Sequence, residues 1–310
     1  MMFKRWKEHW PTIVVFIVLV VLFVGTSFVS EVFFTGRNLK NLLRQAAALG
    51  IVSTGQTFAI LIGGIDLSIG SVVSLTSCLT TGILEGQGHL LIPVICLVIA
   101  IAVLIGFLNG FMITRTGVHP LIVTLGMMSI VQGAVLVYTK APAGSIPESF
   151  MFLAWGEVGF LPFPVFYFAA VAFLGIFVLH RTAFGRYVYA TGGNEEVARL
   201  SGVKTNRVKI VVYIISAFTA ALTGLFLASR MGMGDPLAGE RYMLDSIVPV
   251  LIGGTSLTGG KGGLVGTLPG VFIITILSNA MNLFGVSSYW QWIVQGAIII
   301  LAVAFYWKQK

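Results

Sequence analysis

Apolar runs of nearly equal length, repeated almost end to end, leave this chain few folds to choose from. Crossing about 30 Å of hydrocarbon takes roughly 20 apolar residues in helical conformation. That ruler marks spans near 12–30, 46–62, 66–84, 90–113, 119–139, 162–180, 207–229, 243–258, 264–285 and 289–307. The two shortest are 46–62 and 243–258. Hydrophobic residues make up 57% of the chain and charged residues 10%, with a mean hydropathy of +0.97. A soluble domain of this size needs a charged surface that this composition cannot supply. The expected fold is all-α, a polytopic helical membrane protein of about ten transmembrane helices with Gly-interrupted segments. The first run, Ile13 to about Val29, lacks a small-residue cleavage site and reads as an uncleaved span. No Pro-rich linker or low-complexity tract breaks the pattern, so residues 1–310 read as one domain.

The net charge of +8 sits between the apolar runs, where Lys and Arg resist translocation and meet the anionic inner leaflet. No basic run with interleaved aromatics points to nucleic acid. Ten spans put both termini on one side. Placing them in the cytoplasm puts 13 of the 19 basic residues inside: Lys4, Arg5, Lys7, Arg115, Arg181, Arg186, Arg199, Lys204, Arg207, Lys209, Lys261, Lys308 and Lys310. Arg37, Lys40, Arg44, Lys140, Arg230 and Arg241 fall outside. Leu39, Leu42 and Leu43 recur at helical spacing among the first three of these, so residues 36–44 are expected to form an amphipathic helix on the outer surface. Cys78 and Cys96, in apolar text with no His or acid at ligand spacing, read as packing residues.

Catalytic chemistry lacks its parts. There is no G-x-x-x-x-G-K-[ST], no H-E-x-x-H, and His9, His89, His119 and His180 are scattered at span ends. Any energy source must come from a partner. The longest hydrophilic segment on the inner side, about 181–206, carries helix signals in its middle. Asn194 is a capping residue, Glu195 and Glu196 suit the positive end of the helix dipole, and Gly202 stops the helix, giving two turns over Glu195–Ser201. Such a helix is marginal in water and needs a surface to lean on.

The run Arg186-Tyr187-Val188-Tyr189-Ala190-Thr191-Gly192-Gly193-Asn194-Glu195-Glu196 with Ala198-Arg199-Leu200-Ser201-Gly202 resembles the cytoplasmic coupling loop of permeases in the ribose-type (monosaccharide) branch of ABC importers. Gly63-Gly64-Ile65-Asp66-Leu67-Ser68-Ile69-Gly70-Ser71, the Gly-rich run Leu251 to Gly262, and the ending Leu283 to Gln291 resemble further segments of that family. The resemblance implies a homodimer or heterodimer of permeases. It also implies a cytoplasmic ATP-binding subunit with two nucleotide domains, carrying ATP and Mg, and an extracytoplasmic sugar-binding protein. This chain would hold no cofactor or metal of its own and would sit in the bacterial cytoplasmic membrane with both termini inside. The residues implied to dock on the ATPase are Gly193, Asn194, Glu195, Glu196, Arg199, Leu200 and Gly202.

Asp66 lies between two apolar spans, where an unpaired acid costs several kcal/mol. After Gly63-Gly64 it reads as a helix stop followed by an N-cap for the next span, and it could also line a solute route. Leu61–Gly70 echoes Leu251–Gly260 at six identical positions, which points to paired gate segments or to chance among glycine-rich text. A sugar route needs neutral hydrogen-bonding groups. The candidates for gate or path are Gly64, Asp66, Ser68, Asn109, Gly254, Ser256, Asn279 and Asn282, with Gln56, Thr124 and Gln132 behind them; the asparagines serve equally well as glue between helices. The alternatives left open are a permease for another small polar solute such as a furanose autoinducer, and an ion-coupled carrier relying on Asp66 and Asp245.

Overall fold

The computed structural model describes residues 2–29 and 31–307, with side chains for 14–28, 31–287, 289–298 and 300. Lys4, Arg5, Lys7, Lys308 and Lys310, which the orientation reading used, fall outside the described side chains. In chain order the elements are α1 (Met2–Val29), α2 (Gly36–Leu61), α3 (Ile69–Leu84), α4 (Leu91–Thr116), α5 (Pro120–Tyr138), α6 (Glu148–Trp155), the two-residue strands β1 (Glu157–Val158) and β2 (Leu161–Pro162), α7 (Phe163–Arg181), α8 (Ala183–Gly193), α9 (Glu195–Leu200), α10 (Thr205–Met231), α11 (Glu240–Asp245), α12 (Ile247–Ile252), α13 (Leu264–Leu283) and α14 (Ser288–Trp307). β1 and β2 pair antiparallel as a small hairpin.

Helix α10 is the mast of the bundle, with α2, α3 and α4 packed around it. Small residues permit this. Ala102, Gly106 and Gly110, four apart on α4, face α10, and a Cβ at Gly110 would land 2.5 Å from Ile210 Cα. Gly55 of α2 sits against Ser216, and Gly224 of α10 sits against Val73 of α3. Inside lipid no hydrophobic drive separates one apolar helix from another, so close backbone approach supplies the dispersion that holds helices together. The outward faces of α4, α5 and α7 expose Leu104, Ile122, Ile130, Phe173 and Leu174, as helices facing acyl chains do. Cys78 is buried, whereas Cys96 is exposed on α4 and so does not pack as expected.

Nine of the ten expected spans coincide, among the described residues, with continuous helices: α1, α2, α3, α4, α5, α7, α10, α13 and α14. The tenth, 243–258, is corrected. That crossing is made by the stretch 232–239, the two six-residue helices α11 and α12, and a glycine-rich loop. Its ends lie at opposite ends of the bundle: Gly234 pairs with Ala143 beside α6, and Gly260 bonds to Leu61 at the α9 end. Non-helical backbone survives at this depth because protein surrounds it; Gly239, for example, donates its N–H to Ser74 Oγ at 2.9 Å.

Residues 36–44 are corrected as well. They are the first turns of α2, not a separate surface helix, and Asn38, Leu42 and Arg44 are buried. Thr35 caps the helix by accepting from the Asn38 N–H. Lys40 and Arg44 find partners on the β1–β2 hairpin, which removes the need for them to lie on a membrane surface. Both bind Glu157, at 2.6 and 3.3 Å, and the Arg44 guanidinium lies 4.9 Å above the Trp155 ring.

Candidate functional site

Asp66 is the centre of a buried polar knot. It is wholly inaccessible, in the turn between α2 and α3, where α2 stops at Gly63-Gly64 and the carboxylate takes the free N–H of Ser68, the cap residue of α3, but no N–H within the helix. The helix begins only at Ile69, and Ser68 holds the cap position without a side-chain bond. Asp66 Oδ1 accepts from the Ser68 N–H at 3.0 Å and from Ser68 Oγ at 2.6 Å, while Oδ2 accepts from Ser216 Oγ at 2.7 Å. Asn109 Nδ2 donates to Ser68 Oγ at 2.8 Å. One carboxylate thereby ties the α2–α3 turn to α10, and through Ser68 to α4. Thr124 Oγ1 of α5 donates to the Ile65 carbonyl at 3.0 Å, so α5 is the third helix tied to this turn. Tyr213 Oη, close beside Gly64, and Asn109 Oδ1 are buried without a partner among the described residues. Ser216 and Tyr213 were missed from sequence; the signal was the polar stripe Ser216, Thr219, Thr223 on one face of an otherwise apolar span.

The two echoing segments meet in space. Each ends a buried helix with the same C-terminal motif. After α2, Gly64 N–H bonds to Ala59 O and Gly63 N–H to Ile60 O, with Gly63 left-handed at φ 76°. After α12, Thr255 N–H bonds to Val250 O and Gly254 N–H to Leu251 O, with Gly254 at φ 82°. The motif is displaced by one residue from the sequence echo. Ser256 Oγ and Thr258 Oγ1 share a hydrogen bond of 2.8 Å inside the second turn. Gly260 then donates its N–H to Leu61 O at 2.9 Å, joining the two segments directly.

The end of α8 closes this junction. Gly192 lies so close that a Cβ there would strike Leu61 O, and Tyr189 Oη donates to Gly262 O at 2.9 Å. Gly193 is the last residue of α8, and α9 follows at once. Asn194 Oδ1 accepts from the Val197 N–H at 3.0 Å, and Gly202, at φ 86°, ends the helix with a Val203 N–H to Ala198 O bond. Val197 is 57% and Leu200 79% exposed, an apolar face that no other described residue covers. Glu196 and Arg199 are exposed beside it, whereas Glu195 is taken by Lys209 Nζ of α10 at 2.6 Å. The α8 helix itself was not read from sequence, because its apolar residues are too few to give a clear period.

Asn279 and Asn282 sit away from both clusters. Asn279 and Asn38 exchange amide bonds of 2.9 and 3.0 Å, joining α13 to α2, and Asn282 Oδ1 accepts from Gln291 Nε2 at 2.7 Å. This bundle, with broken helices near its interior and a capped helix at one rim, defines a multi-pass helical membrane permease. The chain belongs to the family described as branched-chain amino acid transport system / permease component, which it matches over residues 38–303. It is 42% identical over 293 residues to the ribose import permease protein RbsC of Bacillus subtilis (strain 168), covering 93% of this chain and 90% of that protein. Likeness to the ribose import permease protein RbsC of Escherichia coli (strain K12) is 38% over 305 residues, covering 97% and 94%. The D-allose transport system permease protein AlsC of the same strain is 35% identical over 292 residues, covering 93% and 89%. No solved structure matches the chain at a significant level.

Proposed function

We propose that residues 1–310 form the membrane domain of an ATP-driven importer for a monosaccharide such as ribose, and that the chain works as a gated path without covalent chemistry of its own. The observation that carries the reading is the glycine junction, in which Gly192 and Gly260 press on Leu61 directly beside α9. A force applied to α9 reaches both Gly-interrupted segments through backbone contacts that cannot slide without breaking. The exposed Val197 and Leu200, flanked by Glu196 and Arg199, are the docking face for a cytoplasmic ATP-binding subunit with two nucleotide domains, which supplies ATP and Mg. Gly193, Asn194, Glu195 and Gly202 shape that face. The Asp66–Ser68–Asn109 knot and the turns at Gly64, Gly254 and Ser256 form the gate, and Asn279 and Asn282 belong to the outer half of the path.

The remaining parts follow from this assignment. The α9 end faces the cytoplasm of a bacterial inner membrane, together with both termini, and the Lys40–Glu157 end faces outward toward a sugar-binding protein. Clustering of Arg115, Arg181, Arg186, Arg199, Lys204, Arg207, Lys209 and Lys261 at the α9 end supports this orientation. A second copy or a related permease completes the membrane unit. Reconstitution with the ATPase and the binding protein tests the whole. ATP hydrolysis stimulated by the binding protein loaded with ribose, allose or xylose is the expected result, and a well-inserted chain that forms no complex and gives no stimulation overturns it.

A further inference from the structure

Near the outward ends of α2, α10 and α13, and walled by α11, lies a cavity of about 260 Å³. That is just below the ~300–1,000 Å³ of clefts that take drug-sized ligands, the size class of one small molecule. The charged part of its lining is Arg230, Arg241 and Asp245, the neutral polar part includes Gln45, Ser278 and Asn282, and Tyr242 adds an aromatic wall. Ser278, Asp245 and Tyr242 are buried within the protein.

The hydrogen-bonding capacity of this lining is only partly used. Asp245 engages Arg241 Nε through Oδ2 at 3.3 Å, and Oδ1 remains. Asn282 accepts from Gln291 through Oδ1, leaving its amide donors. The Arg230 guanidinium, the Gln45 amide and the Ser278 hydroxyl make no side-chain hydrogen bond among the described residues. Donors and acceptors therefore converge on one space. Arg241 balances Asp245, and Arg230, in the last turn of α10, answers the negative end of that helix. Two guanidiniums therefore stand against one carboxylate, an excess positive charge only partly offset by the helix end, which disfavours a free cation and leaves an anion as the competitor that the phosphate arm below separates from a sugar. Neighbouring hydroxyls on a ring, each both donor and acceptor, match a carboxylate oxygen beside a guanidinium and amides, while a C–H face lies on an aromatic wall.

We infer that this cavity is a holding site for one neutral monosaccharide on the outward half of the permease. The inference rests on the monosaccharide reading above. Position supports it further, because its α11 wall leads through α12 into the Gly254–Gly263 loop that touches Leu61 and Gly192. The cavity and the α9 rim thus share one continuous segment of chain.

Thiol labelling in the complete complex, in nanodiscs, tests it. Cys96→Ser removes the exposed native thiol, Cys78 is buried, and Ser278→Cys places a probe in the lining with little change of volume. Labelling by an impermeant methanethiosulfonate is expected to slow severalfold in D-ribose, D-allose or D-xylose, and to be unaffected by inorganic phosphate. An unchanged rate in all three sugars, in a complex whose ATPase still responds to loaded binding protein, overturns the holding site and leaves the permease reading standing. Loss of the ATPase response already in the Cys96→Ser parent, which keeps Ser278, overturns both. Protection by phosphate alone overturns the neutral-sugar assignment, and a thiol that never labels overturns outward access. Asn282→Cys serves as the second position should Ser278→Cys fail to insert.

Discussion

Gly260 donates its backbone N–H to the carbonyl of Leu61 across 2.9 Å, although 199 positions separate them (260 minus 61). This bond fastens the end of α2 to the loop after α12, and Gly192 of α8 lies against the same carbonyl. The end of α8, the end of α2 and the loop after the broken α11–α12 crossing therefore meet at one atom.

Substitution at the junction separates two adjacent glycines. A Cβ at Gly192 collides with Leu61 O, whereas one at Gly193 meets nothing within 4 Å. Backbone cannot move aside as a side-chain tip can, so Gly192→Ala forces the segments apart at about 1–3 kcal/mol. Uptake by reconstituted Gly192→Ala is expected to fall about tenfold, since 1.4 kcal/mol is a factor of ten, with insertion intact. Gly193→Ala adds a methyl group to the docking face without a backbone clash and should lose much less.

The Asp66 knot gives a graded series. Ser216→Ala leaves one buried oxygen, Asp66 Oδ2, without its donor, a loss of about 1–3 kcal/mol. Asp66→Ala strands the Ser68 and Ser216 hydroxyls, at about 1–3 kcal/mol for each group left buried without a partner. Thermal melting in detergent should drop more for Asp66→Ala than for Ser216→Ala, and the double variant should be less destabilised than the sum, because the two side chains contact each other.

Glu195 positions α9 by binding Lys209. The pair is partly exposed, so its contribution is about 0.2–1 kcal/mol. Glu195→Lys or Lys209→Glu alone should weaken stimulation of the partner ATPase by a few-fold, and the exchanged pair should restore it. Failure of the exchange would show that Glu195 itself touches the partner.

At the other end, the hydrogen bond from Lys40 holds the Glu157 carboxyl below its ordinary value of 4.5, with the Lys40 and Arg44 charges acting the same way. A depressed folded-state value means the pair stabilises the protein above that ordinary value and loses its effect as pH falls through the depressed one. The melting difference between the unaltered chain and Glu157→Gln should be constant near neutrality and shrink below about pH 4.5, and salt should reduce it throughout because exposed charges are screened.

Sequence alone determined what local physics controls. The length of each apolar run set where nine continuous helices lie, and Asn194 and Gly202 framed α9 through their own backbone geometry. It misread residues 36–44, where three cations among leucines look like a surface helix until Glu157 and Trp155 are brought over them. It misread 243–258, because an apolar run of spanning length says nothing of the breaks that neighbouring protein can tolerate. Only the tertiary structure decided that Asp66 reaches Ser216 of α10 as well as the Ser68 N–H, that Asn279 pairs with Asn38, and that Gly192, Gly260 and Leu61 converge. Those contacts depend on which helices become neighbours and how closely their backbones approach, and that is set by packing of the whole bundle, which no periodicity within a single span encodes.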